Sequence, residues 1–225
     1  MGIKSFGTRN LYAVSPAIRN FFWAHVGDWV EHAPQAFEAF SVLASRLKHE
    51  KELGLTIYPS EDLVFRALKE CQFEDVKAVV YGVDPYANGC ANGLAYDHAT
   101  TKQPMAPALL RLLTKSKLDS DLDLFGATDS YLSVLPRKGV LLLNLALTVR
   151  KGEPASHLIY WREFTALLMK IIATRTDIHH VLLGSKVQAF VGEFLGSSHS
   201  IFRGSSPAPL SGPNFINQNI FTWIR

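Results

Sequence analysis

Three short apolar segments constrain the fold of this chain more than any other feature. They span residues 77–82, 139–144 and 180–185, are rich in valine or leucine, and end on a polar residue or two residues before one. Runs of this kind are typical of strands buried on both faces of a parallel sheet. Helical patterns alternate with them, and residues 200–203 supply a fourth strand. We therefore predict a single α/β domain, with a central, mostly parallel four-stranded sheet flanked by helices.

The endings of these strands predict a binding site. Asp84 follows the first strand, Asn144 ends the second, and Gly184 and Ser185 end the third. Ligands bind beyond the carboxyl ends of the strands in an open parallel sheet, so the three endings should meet at one site. A lone strand-end aspartate is more often a turn former, and a lone asparagine more often a structural amide. Their matched positions favour a functional interpretation.

The side chains near these endings suit a nucleotide-like ligand. The amide of Asn144 offers a donor and an acceptor together, the pattern that reads a nucleobase edge. Tyr86 and Tyr96 could supply a wall and a stacking face. Three loops rich in proline, glycine or serine, at 104–108, 184–185 and 204–211, could hold a phosphate backbone. The tip at Leu210 could wedge into a base stack or fold inward as an ordinary loop.

Composition narrows the class of protein without defining it. The 225 residues are 48% hydrophobic and 19% charged, and the net charge of +3 permits contact with a polyanion without arguing for it. Two cysteines make neither a disulfide framework nor a metal set. No apolar run reaches the ~20 residues of a membrane span, and the first residues lack a signal-peptide core. We expect a soluble intracellular protein, in the cytoplasm, the nucleus or the cytoplasm of a host cell.

Helical periodicity places the remaining elements. Residues 1–50 contain a helical part with a break at Pro34, and Ser60 is a candidate cap for the next helix. Residues 115–130 are predicted to form a solvated surface loop. His179 and His180 begin a strand at the end opposite the predicted site and are expected to be edge or core residues. The predicted helices span 16–49, 61–71, 104–113, 161–173 and 186–195.

Ordered motifs between Leu55 and Asn219 resemble family 1 uracil-DNA glycosylases. The motifs that carry the resemblance are Thr56-Ile-Tyr-Pro59, Asp75-Val-Lys-Ala-Val-Val-Tyr-Gly-Val-Asp-Pro-Tyr86, Asn92-Gly-Leu-Ala-Tyr96, Gly139-Val-Leu-Leu-Leu-Asn-Leu-Ala-Leu-Thr-Val-Arg150 with Ser156-His157, Leu183-Gly-Ser-Lys-Val-Gln188 and Ser206-Pro-Ala-Pro-Leu-Ser211. The resemblance covers over two-thirds of the chain. It implies one glycosylase-like domain over residues 1–225.

The resemblance implies that the chain flips uracil out of DNA and hydrolyses its N-glycosidic bond. By position, Asp84 would activate water and stabilise the cationic sugar, and Asn144 would bind the uracil edge. Tyr96 would stack on the ring, Tyr86 would exclude the thymine methyl, and Leu210 would fill the gap in the duplex. The family needs no metal or cofactor and often acts as a monomer, on single- or double-stranded DNA.

The loops carry the implied contacts to DNA. Lys186 and Arg150 could also meet phosphate or be ordinary surface charges. The residues expected to touch DNA are Pro107, Ala108, Gly184, Ser185, Pro207, Pro209, Leu210 and Ser211.

Several residues depart from the family pattern. Gly82-Val-Asp-Pro-Tyr-Ala87 stands in place of Gly-Gln-Asp-Pro-Tyr-His, and Ser206 replaces the histidine that donates to the uracil oxygen. Losing one such donor typically costs about 2.7 to 4 kcal/mol, on the order of a hundred- to a thousandfold in rate. Ala108 replaces a phosphate-binding serine. The backbone N–H groups of Val83 and Asp84 do not depend on these side chains, so an oxyanion-type pocket could persist.

Three functions follow from this mixture of retained and altered residues. The first is an active uracil-DNA glycosylase with a reduced rate, in which Ser206 occupies the histidine's place. The second is a weakened or inactive module that binds uracil or DNA, with a possible protein partner in replication or repair. The third is a glycosylase for a different modified base.

Overall fold

A computed structural model describes residues 22–98, 104–119, 124, 130–208, 213–215 and 217–222. Helical backbone begins the described part at residues 22–26. The α-helices that follow are α1 (Trp29–His32), α2 (Pro34–Glu52), α3 (Arg66–Glu70), α4 (Pro107–Asp119), α5 (Leu158–Ile172) and α6 (Ser185–Val191). The strands are β1 (Ile57–Tyr58), β2 (Ala78–Gly82), β3 (Val140–Asn144), β4 (Val149–Arg150), β5 (His179–Leu183) and β6 (Ser200–Gly204).

The central sheet is the predicted four-stranded parallel sheet. Its order is β3-β2-β5-β6, and every pair of neighbours is parallel. All residues of β2 and β3 are buried, as continuous apolar strands require. Gly82 pairs with Asn144 in register, so β2 and β3 end at the same level. The prediction of a mixed α/β domain is confirmed.

A second, two-stranded sheet was not predicted from the sequence. It joins β1 to β4 in antiparallel register, with Ile57 opposite Arg150 and Tyr58 opposite Val149. The pairing brings together segments that are distant in the chain, so no local pattern reveals it. It ties the segment after α2 to the segment that follows β3.

An aromatic cluster joins the N-terminal helices to the rest of the core. The Phe40 ring lies 5.1 Å from the Phe65 ring and 5.8 Å from the Trp161 ring, and the Trp161 and Phe164 rings meet edge to face at 5.2 Å. These aromatic residues therefore pack α2 against α5. The predicted break before Pro34 is confirmed, because Ala33 leaves the helical conformation at φ −128°.

Helix α4 differs from the prediction. It begins at Pro107 and continues to Asp119, so residues 115–119 are helical and the predicted surface loop is wrong there. Lys115 and Asp119 form an ion pair at 2.5 Å between side chains that are only 6% and 2% exposed. The Asp119 carboxylate also accepts the backbone N–H groups of Ile220 and Phe221, at 2.6 and 3.1 Å. Polar residues that look solvated in sequence are buried here because each has a partner.

Two further helix predictions need correction. The predicted helix at 61–71 is a 3₁₀ turn, Glu61–Leu63, followed by the short α3, and the Ser60 side chain makes no capping bond. Instead, the Ser60 carbonyl accepts the Leu63 N–H at 3.0 Å, which favours the tighter turn. Helix α6 ends at Val191, before Gly192, and does not reach residue 195. No described helix is both long and apolar enough to cross a membrane.

Candidate functional site

A pocket of about 330 Å³ lies beyond the carboxyl ends of β2, β3 and β5. It gathers side chains that are far apart in the chain, because the parallel strands end at one edge of the sheet. The residues predicted from sequence that line it are Val83, Asp84, Tyr86, Tyr96, Ala108, Asn144 and Ser206. Lys186 and Asp97 line it as well.

Asn144 lines this pocket and carries a side-chain oxygen without a partner in the described part of the chain. The side chain is 4% exposed, and its Oδ1 atom is buried without a hydrogen-bond partner among the described residues. A Cβ atom on Gly82 would stand 2.1 Å from that oxygen, so the absence of a side chain at 82 makes room for the amide. A buried polar atom without a partner costs roughly 1–3 kcal/mol, which a ligand with a matching polar edge would recover.

Asp84 lies two residues beyond the end of β2 and is held by a backbone hydrogen bond. Its Oδ2 atom accepts the N–H of Ala155 at 2.6 Å. Burial raises the pKa of the Asp84 carboxyl, and the Ala155 N–H and the charge of Lys186 act in the opposite direction. Ala155 adopts φ +68°, a conformation that non-glycine residues rarely take, at the residue whose N–H meets the carboxylate.

Two tyrosines form a fixed wall of the pocket. The Tyr86 hydroxyl donates to the Tyr96 carbonyl at 2.8 Å, and the Tyr96 hydroxyl donates to the Tyr81 carbonyl at 2.9 Å. Burial raises the pKa of both pocket tyrosines, so both remain neutral donors. Because each hydroxyl is committed to the backbone, the pocket receives the rings of Tyr86 and Tyr96 as rigid surfaces.

A buried polar network supports the segment that carries Ala155. His157 bonds to the Thr148 hydroxyl at 2.8 Å and to the Glu50 carboxylate at 2.9 Å. Arg150 donates to the same carboxylate at 2.9 and 2.5 Å. The pKa of Glu50 is lowered to about 2, mainly by its hydrogen bonds from Arg150. The guanidinium of Arg150 is therefore engaged in an internal ion pair, which argues against the phosphate contact considered from sequence.

A polar groove of about 460 Å³ adjoins the pocket on the side of α6. It is lined by the predicted pair Gly184 and Ser185, by Ser206, and by Arg203, which sequence reasoning did not single out. The cation of Arg203 and the hydroxyls give this groove the chemistry that suits a phosphate backbone.

The remaining predicted DNA contacts fall into two groups. Pro107 begins helix α4, and Pro207 is buried in the segment after β6. Pro209, Leu210 and Ser211 lie outside the described residues.

The two histidines of β5 are structural, as expected from sequence. His180 is fully buried, and its Nδ1 atom lies 2.9 Å from the Tyr81 hydroxyl. Burial lowers the pKa of His180 to about 4, so the ring is neutral at physiological pH. His179 bonds to the hydroxyl of Ser200, the first residue of β6, at 2.7 Å. Both start β5 and lie at the end of the sheet opposite the pocket.

Besides Arg203, sequence reasoning missed three residues that shape the site. Ala155 carried no chemical signal, and its hydrogen bond to Asp84 is seen only in the folded chain. Asp97 follows Tyr96 directly, is buried, and accepts the Asn92 amide at 3.0 Å; its place next to a predicted pocket residue was the available signal. Glu50 lies at the end of α2, about a hundred residues before its partners, so only the fold brings them together. Within the described ranges, no group of three acidic, histidine or cysteine residues could hold a metal ion.

Solved structures share this architecture. The chain superposes on mimivirus uracil-DNA glycosylase, as its Y322L variant in complex with UGI, with a TM-score of 0.77 over 88% of this chain and 82% of that one, at 21% identity. The enzyme from Nitratifractor salsuginis gives a TM-score of 0.65 over 94% of both chains, at 17% identity. At these identities the likeness defines the fold: it is that of the uracil-DNA glycosylases.

Sequence relatives carry the assignment further. The uracil-DNA glycosylase of Azotobacter vinelandii is 32% identical over 200 residues, which cover 86% of this chain and 85% of the relative. Uracil-DNA glycosylase 2 of Streptomyces coelicolor is 34% identical over 83% of this chain, and the Desulfitobacterium hafniense protein is 35% identical over 82%. No protein-family model matches the chain. The chain belongs to the uracil-DNA glycosylase family, which confirms the resemblance found in its motifs.

Proposed function

We propose that this protein is a uracil-DNA glycosylase that flips uracil out of DNA and hydrolyses its N-glycosidic bond. The observation that carries the proposal is the Oδ1 atom of Asn144, unpartnered within the described ranges, on a residue that lines the same pocket as the carboxylate of Asp84. A pyrimidine edge supplies the donor and acceptor that the Asn144 amide needs. The carboxylate of Asp84 is then available to the sugar carbon that bears the base.

The reaction needs one carboxylate and one water. The bond between the sugar carbon C1′ and the uracil nitrogen N1 breaks, and its electron pair leaves with uracil. The ionised Asp84 stabilises the positive charge that develops on the sugar and takes a proton from the attacking water, whose oxygen bonds to C1′. Asn144 holds the departing base, on which negative charge develops.

The tyrosine wall accounts for selectivity in this proposal. The ring of Tyr96 stacks on the flipped base, and Tyr86 occupies the space that a methyl group at C5 of thymine would need. Since both hydroxyls are bonded to backbone carbonyls, neither ring can move aside without losing a hydrogen bond. Shape of this rigid kind rejects thymine more firmly than a flexible apolar side chain would.

The substrate strand would run from the pocket along the groove of Gly184, Ser185 and Arg203. Phosphate oxygens would accept the hydroxyl and guanidinium donors, and Leu210 would fill the place of the flipped base. We propose that the protein acts as a monomer. We also propose that residues 1–50 belong to the glycosylase domain; for the described helix α2, the packing of Phe40 on Trp161 supports this. The free cysteines, Cys71 and Cys90, fit a reducing intracellular compartment.

A second function is favoured by one observation. Ser206 stands where the related enzymes have a histidine, and its hydroxyl already accepts the Ala208 N–H at 3.1 Å. A serine side chain is shorter than the histidine it replaces, and the bond from Ala208 holds its oxygen beside its own segment, so it stabilises a departing base less than the histidine would. A uracil-binding module with little or no turnover, working with a partner in replication or repair, is therefore the alternative.

Release of free uracil from single-stranded and double-stranded DNA separates the two functions. We expect release by the parent protein and none by Asp84→Asn, with both proteins binding the DNA. Binding that prefers uracil-containing DNA, without release by the parent, would assign the protein to the second function. Release of another modified base in place of uracil would redefine the substrate.

A further inference from the structure

Arg111 connects two walls of the pocket that the sequence keeps almost a hundred residues apart. It lies on α4, three residues after Ala108, so both side chains project from the same face of the helix. Its Nη1 atom donates to the Pro207 carbonyl at 3.4 Å and to the Ala208 carbonyl at 3.1 Å. Ala108 and Ala208 both line the pocket, from α4 and from the segment after β6 respectively.

The segment after β6 is held from two directions. On the side of the sheet, Gln188 donates to the Gly204 carbonyl at 2.8 Å, and Gln218 accepts the Ser205 N–H at 2.9 Å. These bonds end at residue 205. Beyond it, the Arg111 bonds reach residues 207 and 208 from the opposite wall, and the Ala208 N–H returns to the Ser206 hydroxyl.

We propose that Arg111 is a positioning residue, which sets the distance between α4 and the segment 206–208 and thereby the place of Ser206 in the pocket. The inference rests on the proposed glycosylase function. A planar guanidinium suits this task because its donors have fixed directions and its charge persists at all physiological pH values. Charge-assisted bonds to two successive carbonyls define the path of the segment better than one neutral bond could.

The test compares Arg111→Met with a matched control, Arg175→Met. Arg175 also donates to backbone carbonyls, those of Phe73 and Glu74 at 2.7 and 3.4 Å, but at the amino end of the sheet, away from the pocket. Both variants should lower the melting temperature by about 2–4 °C, as expected for the loss of a few bonds in a chain of this size. Activity assays at temperatures well below both melting temperatures then separate an effect on the position of Ser206 from an effect on the stability of the protein.

We expect Arg111→Met to lower kcat for uracil release by about tenfold or more, because a misplaced group near the reacting atoms costs rate. KM should change less than about threefold, since contacts to the DNA phosphate backbone in the neighbouring groove are expected to dominate binding. Arg175→Met should leave both constants within about twofold, and Arg111→Lys should recover part of the lost kcat. Equal kcat values in parent and Arg111→Met would overturn the proposal, as would an effect confined to KM.

Hydrogen exchange of the segment 204–208 provides a readout that does not depend on turnover. The Ala208 amide should exchange faster in Arg111→Met and at the parent rate in Arg175→Met. Parental exchange in both variants would overturn the role of Arg111 even in an active enzyme. A parent that releases no uracil would refute the proposed function, whereas faster exchange in Arg111→Met alone would still support the positioning of the segment.

Discussion

The side-chain oxygen of Asn144 occupies the space in front of Gly82, 2.1 Å from where a Cβ atom at position 82 would stand. The two residues are register partners at the ends of β2 and β3. Glycine at one strand end therefore permits the asparagine at the next to turn its amide into the pocket. The cost is a buried Oδ1 atom without a partner among the described residues, and the proposed contact with a base would offset it.

Gly82→Ala should displace the amide of Asn144. We expect uracil release to fall about a hundredfold, because misplacement of about 1 Å in a binding group has an effect of that order. Overpacking should also lower the free energy of unfolding by about 1–3 kcal/mol. Steady-state kinetics and chemical denaturation measure the two effects.

The double variant Gly82→Ala with Asn144→Ala tests the same contact from the other side. Removing the amide opens the space, so part of the lost stability should return while activity stays low. Gly196→Ala serves as control, since nothing lies within 4 Å of a Cβ there. Additive stability losses in the double variant would mean that the two positions do not interact.

Asp84→Asn should abolish release of uracil and leave binding of DNA intact. The amide keeps the size of the carboxyl but cannot take a proton from water or stabilise a positive sugar. A single-turnover assay measures the release of uracil, and a separate DNA-binding measurement shows whether binding is intact. Equal activity of the variant and the parent would remove Asp84 from the mechanism.

The pH dependence of turnover should report the ionisation of Asp84. Burial raises the pKa of this carboxyl above its usual value, so activity should fall as pH decreases through that raised pKa. The Ala155 N–H and Lys186 oppose the rise, and the Asp97 carboxyl also lines the pocket. In Lys186→Met the acidic limb of the profile should move to higher pH, whereas Lys186→Arg should keep it in place. An unchanged limb in Lys186→Met would show that another group controls it.

Ser206→His should raise turnover if the pocket is otherwise that of a glycosylase. An added donor of this kind is typically worth about a hundredfold or more in rate. The gain should vanish when Ser206→His is combined with Asp84→Asn, because it depends on the same reaction. No gain in kcat would indicate that the pocket serves another base or a binding function.

Glu50→Gln should destabilise the fold. Removing the charge leaves Arg150 without its main partner, and we expect a loss of about 2–4 kcal/mol in the free energy of unfolding at pH 7. Because the pKa of Glu50 is lowered in the folded state, the ionised side chain stabilises the fold fully above its usual pKa of 4.5. This stabilisation is lost as pH falls toward about 2. The variant should therefore show a weaker loss of stability over this range.

The exposed pair of Glu61 and Lys51 supplies the control for that experiment. Their side chains are 82% and 42% exposed, so Glu61→Gln should change the free energy of unfolding by less than about 1 kcal/mol. Urea denaturation of the parent and both variants, between pH 2 and pH 7, gives the comparison. Equal effects of the two substitutions would show that the Glu50 network stabilises the fold no more than an exposed ion pair does.

The sequence by itself determined the sheet and the strand-end positions of the site. Uninterrupted apolar runs are buried on both faces, and parallel strands bring their carboxyl ends to one edge, so Asp84 and Asn144 had to approach each other. The residues of the polar segment 115–119 were misjudged because their burial depends on partners such as the backbone at 220 and 221.

Only the tertiary structure decided how these groups are held. The Ala155 N–H donates to Asp84 across 71 residues, and Glu50 meets Arg150 and His157 across about a hundred. These placements follow from packing between elements that are distant in the chain. Local patterns encode burial and periodicity, because both repeat along the chain. Contacts between segments a hundred residues apart leave no periodic trace, so the partners of Arg111 and Asp84 could be known only from the folded protein.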